Sequence, residues 1–175
     1  MGTAISTAQA AVKSGKLTKT QAAAVSKALA FYGKAGEKNG VTINFSDTIS
    51  ALGQTSMDSK TGAVTVTFGS DFSKYYTTGY PGADARGEQA GMLAHEGQHG
   101  IDARARGRDP INPQEDRAAE HNGWEVQSYV SKGLNDKSVR GLWNPSWPAS
   151  AADRLREQAV NQRTDEDVKY WEGGE

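Results

Sequence analysis

The sequence predicts an α+β domain. A small β-sheet packs on a helix carrying His95-Glu96-Gly97-Gln98-His99, and a second, carboxylate-rich helix follows. Three observations carry this reading. Apolar residues recur at helical spacing through most of the chain, whereas β-branched alternation is confined to VTINFS (41–46) and AVTVTFG (63–69). Both strand-like runs precede the motif helix, so sheet and motif come in sequence order. No repeat or second apolar core divides the 175 residues, a length that suffices for one domain with a real core.

Composition narrows the function. Net charge is -1, which argues against a nucleic-acid binder that works by bulk positive charge and gives no attraction to anionic membranes. There are no cysteines, so disulfides, iron–sulfur sites and thiolate-held zinc are excluded. Any metal must be held by His and carboxylates. No apolar run approaches spanning length. The first residues show no basic segment followed by an apolar one, as a secretory signal would. MGTAIS nominally fits a myristoylation pattern, but a small, polar start also suits a domain cut from a larger polypeptide, and that is the expectation.

In order, residues 1–40 form a helical N-terminal segment. Residues 3–13 are Ala-rich and Gly15 breaks them. Thr18 or Thr20 caps a helix through TQAAAVSKALAFYGKAGEK, which Asn39-Gly40 stops. Residues 41–132 form the core: strand 41–46, a polar loop 47–60, strand 63–69 and a tyrosine-rich loop 70–84. The motif helix runs from about Ala85 to Arg104. A turn with two prolines, GRDPINP, leads to a helix from Gln114 to Lys132, which Gly133 ends. Residues 133–175 close the domain. GLWNPSWP is an aromatic segment whose Trp143 and Trp147 read as lids on the core. Residues 149–163 form a last helix, and the acidic tail beyond frays.

The HExxH spacing carries chemistry. Two imidazoles four residues apart lie on one helix face and can grip one metal ion, while Glu96 is turned so as to reach a water on that ion. Ala90, Leu93, Ala94, Gly97 and Ile101 form the opposite, apolar face. Gly91, Gly97 and Gly100 each cost a helix up to about 1 kcal/mol relative to Ala, which close packing would explain. Catalytic zinc needs a third protein ligand and an open position. By helix phase Glu120 is the candidate, with His121 and Glu125 as competitors and Glu115 pointing further away. Asp102 lies one turn beyond His99, either behind a ligand histidine or in a helix pair with Arg106. Arg104, Arg106 and Arg108 make a basic run, read as a solvated face with partner docking as the alternative.

HEGQHGID, a Pro-containing turn and then AAEHNGWEVQSYV resemble the gluzincin branch of the zincin metallopeptidases. HExxHxxD paired with a Glu, an aromatic and Gln-Ser is similar to metallopeptidase domains at the C-termini of bacterial Rhs and other polymorphic toxins. The resemblance spans roughly residues 41–132 and implies a zincin-like fold. It implies zinc held by His95, His99 and Glu120, with Glu96 as acid and base. It also implies a strand along the substrate cleft, matched by Val64, Val66 and Phe68. Trp124 stands where the family carries a further carboxylate, so Asp102 or another acid is expected to orient the histidines. His121, Tyr80 and Gln127 are candidates for orienting ligands or stabilising the transition state, as are Tyr75 and Tyr76.

The expected activity is zinc-dependent endoproteolysis of protein substrates by a secreted bacterial effector. It would be made within a larger delivery polypeptide, carried into a target cell and blocked by a cognate immunity protein. The alternatives are a self-processing or housekeeping peptidase, which would be cytoplasmic, and a non-catalytic binding module stapled by metal. No nucleic acid or membrane is expected as a partner.

Overall fold

A computed structural model describes residues 1–49, 52–72, 85–138 and 140–172. The elements are α1 (Gly2–Lys13), α2 (Lys19–Ala30), β1 (Val41–Ser46), β2 (Gly53–Met57), β3 (Val64–Gly69), α3 (Ala85–Arg106), α4 (Pro113–Leu134) and α5 (Ala152–Glu172). The class is α+β, as expected, with a small mixed sheet against a helical layer. Among the described residues no helix is long and apolar enough to cross a membrane.

The sheet has three strands, in the order β1-β3-β2. β1 runs parallel to β3, and β2 antiparallel to it. The polar stretch expected to be a loop therefore supplies a strand. GQTSM lacks alternating apolar residues, yet it pairs Thr55 with Val66 and Met57 with Val64. Val64, Val66 and Phe68 are fully buried on the helix-facing side, while Thr42, Asn44, Gln54 and Ser56 face solvent. This corrects the assignment of Val64, Val66 and Phe68 to a substrate-edge strand. β3 is hydrogen-bonded on both sides and has no edge to offer. The edge that packs on α3 belongs to β2.

The helices pack more closely than the pattern implies. Ala4, Ala8 and Ala11 of α1 are buried, and the Ala11 carbonyl lies where a Cβ on Gly133 would stand, at 2.7 Å. Thr18 and Gln21 make a reciprocal capping box at the start of α2. That helix ends at Ala30, well before Asn39-Gly40: Phe31 and Tyr32 turn into the core, and Gly33 takes φ 66°. The helix glycines expected to need close packing have it, Gly97 and Gly100 against α2 and the residue after it, and Gly91 against Gln127 of α4. A Cβ on Gly97 would run into the backbone carbonyl of Ala28, and one on Gly100 into the Phe31 ring.

Asn112 caps α4 through the Glu115 N–H, with Pro113 in the first turn. The helix passes through Gly133 and ends with Asn135 in the left-handed region at φ 59°. α5 does not fray at 163. Arg156, Val160, Thr164 and Val168 recur every fourth residue, all buried, and carry the helix through the acidic stretch. Trp143 is buried and packs edge to face on Trp147 at 5.9 Å.

The contact between α3 and α2 predicts that Gly97→Ala destabilises the fold by about 1–3 kcal/mol, because overpacking against backbone exceeds the gain in helix propensity. Gly2→Ala, with open space around it, should be neutral or slightly stabilising. Urea unfolding measures both, and a stabilised Gly97→Ala variant would refute the packing.

Candidate metal centre

α3 and α4 pack side by side and bring one turn of each together. His95, His99 and Glu120 are the described residues whose donor atoms converge, all within 4.8 Å of one another. The Nε2 atoms of His95 and His99 are 2.8 Å apart. Each stands 3.5 Å from one Glu120 oxygen, His95 from Oε2 and His99 from Oε1. Ligand atoms of a tetrahedral zinc site, each about 2.0–2.1 Å from the ion, lie about 3.3 Å from one another. The carboxylate separations fit this spacing, and the histidine pair is slightly closer. Glu120, the candidate by helix phase, does face the two histidines.

The competitors are directed elsewhere. His121 Nε2 lies 3.6 Å from Glu157 of α5. Glu125 accepts from the Tyr129 hydroxyl at 2.6 Å. Glu115 receives two hydrogen bonds from Arg108 and caps the turn before α4.

Glycines make room for the site. A Cβ on Gly123 would stand 2.7 Å from His95 Nε2, and one on Gly53 would stand 2.5 Å from Glu96 Oε1. A Cβ on Gly91 would stand 2.8 Å from the Gln127 Cγ. Gln127 is fully buried beside Gly91 on the α4 side of His95. Among the described residues, His95 Nδ1 and both polar atoms of the Gln127 amide are buried without a hydrogen-bond partner. An ion on Nε2 would leave Nδ1 as a donor, and the Gln127 carbonyl is the acceptor at hand.

The indole of Trp124 stands edge to face against the His95 ring, with centroids 4.5 Å apart, and fixes the ring plane. Its Nε1 donates to Asp167 at 2.7 Å. Asp167, in the tail expected to fray, is the acid whose charge acts on His95. Asp102 instead accepts from Gln98 at 2.8 Å and Asn122 at 2.9 Å, fastening α3 to α4. Tyr75, Tyr76 and Tyr80 lie outside the described residues.

Burial dominates the electrostatics. It lowers His95 to about 3 and His99 to about 4, so both imidazoles are neutral near pH 7 with lone pairs free for a metal. Burial also raises Glu96 to about 8, against a lowering hydrogen bond from Thr55. That bond, Thr55 Oγ1 to Glu96 Oε2 at 2.7 Å, ties the motif to β2. The centre opens on a cleft of about 370 Å³ walled by Leu52–Thr55, Trp124, Arg106, Arg140 and Asp167. A second groove shares Gln54, Thr55, Asp109, Pro110 and Asp116 with it and runs on to Ile111, which is 72% exposed.

Sequence reasoning missed Thr55, Gly53, Arg140 and Asp167. The recurrence of Val160, Thr164 and Val168 could have signalled that the last helix continues to Asp167. Nothing local marks the others. Compared with known protein families, curated proteins and solved structures, the chain matches none.

The shifts predict how the metal-free protein responds to pH. The histidines hold protons less readily when folded, so their contribution is lost as pH falls from 6.5 towards 4 and 3. Glu96 holds its proton more readily when folded, so its contribution is lost as pH rises from 4.5 through about 8. The urea midpoint should therefore fall as pH rises from about 7.5 through the Glu96 value of about 8, above the range in which the unfolded histidines still release protons. Glu96→Gln should flatten that limb; an unchanged slope in the variant would place its origin elsewhere.

Proposed function

We propose that the chain is a zinc-dependent endopeptidase with a zincin-like site of the gluzincin type. His95, His99 and Glu120 hold the metal, and Glu96 handles the proton. The observation that carries this reading is the Glu96 carboxylate, buried and held by Thr55 beside a two-histidine, one-carboxylate group on an open cleft. A metal that only staples a fold has no use for such an acid, which favours catalysis over a binding module.

The donor set of two imidazoles and one carboxylate suits zinc and leaves positions open for water and substrate. When bound, zinc supplies Lewis acidity and brings the pKa of a water close to neutrality. Glu96 takes the proton from the water as it attacks the peptide carbonyl, then returns it to the leaving nitrogen. Thr55 holds Oε2, which leaves Oε1 for the exchange. An extended substrate has β2 as its natural partner for strand addition. Met57 N–H is already taken by Asp109 at 2.9 Å, so the open part of that edge is Gly53 to Thr55.

The resemblance to toxin domains extends the proposal to a bacterial effector delivered within a larger polypeptide and blocked by an immunity protein. Growth arrest on expression inside bacteria, abolished by Glu96→Gln, supports that extension. Growth that is indifferent to Glu96 opposes it and leaves a housekeeping or self-processing peptidase.

Glu96→Gln should keep the metal and lower peptide cleavage about 10²–10⁴-fold, the share usual for a general acid–base group. Cleavage of a peptide library by the zinc-loaded wild type and variant reads this directly. No cleavage of any peptide by the wild type, or equal cleavage by both, would remove the endopeptidase reading.

A further inference from the structure

Two arginines that line the metal cleft have no ion-pair partner among the described residues, and we infer that they form a carboxylate-binding site selecting acidic peptide segments. The three arginines of the local basic run have different surroundings, with Arg104 exposed. Arg104 donates to the Asn39 carbonyl at 2.7 Å and lies over the Phe31 ring. Arg108 clamps Glu115 with hydrogen bonds of 2.6 and 2.9 Å. Arg106, two helical turns beyond His99 and back on its face, lines the cleft instead.

Arg140 reaches the same cleft from the loop after α4. Backbone bonds from Ser138 N–H to the Trp143 carbonyl and from Gly141 N–H to the Ser138 carbonyl shape that loop. Arg163 Nε donates to the Arg140 carbonyl at 2.9 Å. The Arg140 guanidinium lies over the Trp124 indole, 5.2 Å from its centroid.

Among the described residues, no carboxylate closes an ion pair with either guanidinium, and each Nε is buried without a hydrogen-bond partner. Asp116 feels the charge of Arg106 and Asp167 that of Arg140, but neither is in bonding contact. A partly buried guanidinium without an acceptor is unfavourable, and a ligand that brings oxygen atoms relieves it. The planar fork of donors matches a carboxylate. The charge of Arg140 acts on His95 and that of Arg106 on His99, so the pair flanks the metal group.

That the carboxylate belongs to a peptide rests on the endopeptidase reading; the anion site itself does not. The carboxylate comes either from an Asp or Glu side chain or from a chain terminus. Both sources are resolved by calorimetric titration of the zinc-loaded Glu96→Gln protein with peptides matched except for Glu or Gln, each with a free or amidated C-terminus. Carboxylate-bearing peptides should bind about ten- to a hundredfold more tightly than their neutral counterparts. Arg106→Gln or Arg140→Gln in the same background should cut that ratio about tenfold. Arg→Lys variants, which keep charge and bulk, should fall between and guard against a folding defect.

Selectivity that survives amidation assigns the side chain, and selectivity that follows the free end assigns the terminus; both support the site. Equal binding of all four peptides, or a ratio unchanged in both Arg→Gln variants, overturns it. Selective binding of acidic peptides that the wild type never cuts keeps the carboxylate site and removes the endopeptidase reading. Cleavage of acidic and neutral peptides alike, indifferent to both arginines, does the reverse.

Discussion

The close contact of α3 with α4 is the constraint on which the rest depends. His95 and His99 come from one helix and Glu120 from the next, and they converge because the two backbones approach closely at the site. Gly123 makes that approach possible: a side chain there would occupy the space of the His95 ring. The same approach brings Trp124 against His95 and Gln127 beneath Gly91. Gly97 and Gly100 let α2 press on the other side of α3, so the motif helix is held between neighbours and not merely laid on a sheet. A site built this way owes its precision to rigid elements, which is what a metal centre with fixed ligand positions requires.

The same burial that orders the site makes it electrostatically expensive when no cation is present. His95 and Glu96 are almost wholly enclosed. Desolvation drives both histidines towards neutrality and Glu96 towards its protonated form, and the nearby Glu120 carboxylate adds to the pressure on Glu96. A divalent cation would reverse the balance by favouring the ionised carboxylates and using the imidazole lone pairs. Arg106 and Arg140 carry charge on the same cleft wall and have no ion-pair partner among the described residues, which is what the proposed carboxylate site would use.

Much of this was legible in the sequence, and the exceptions have physical causes. The HExxH spacing fixed two imidazoles on one face, and helix phase singled out Glu120 against His121, Glu125 and Glu115. Both are short-range consequences of a 3.6-residue repeat. The strand at 53–57 was hidden because GQTSM has no alternating apolar face; its strand state is imposed by pairing with β3. That hidden strand also displaced β3 from the edge to the centre. Asp167 stands 68 residues and Arg140 41 residues beyond His99 in the chain, and both reach the site through tertiary packing. Periodicity cannot show such contacts, although the buried stripe through Thr164 and Val168 hinted at the helix that carries one of them.

X-ray absorption at the zinc edge, comparing the zinc-loaded wild type with His95→Ala and Glu120→Ala, shows whether these side chains hold the ion. The proposed zinc site predicts one ion per chain with two imidazole ligands and oxygen completing the shell at about 2.0–2.2 Å. Each variant should lose its ligand and most of the metal. A wild type that retains no zinc, or a spectrum unchanged by either substitution, would contradict the account.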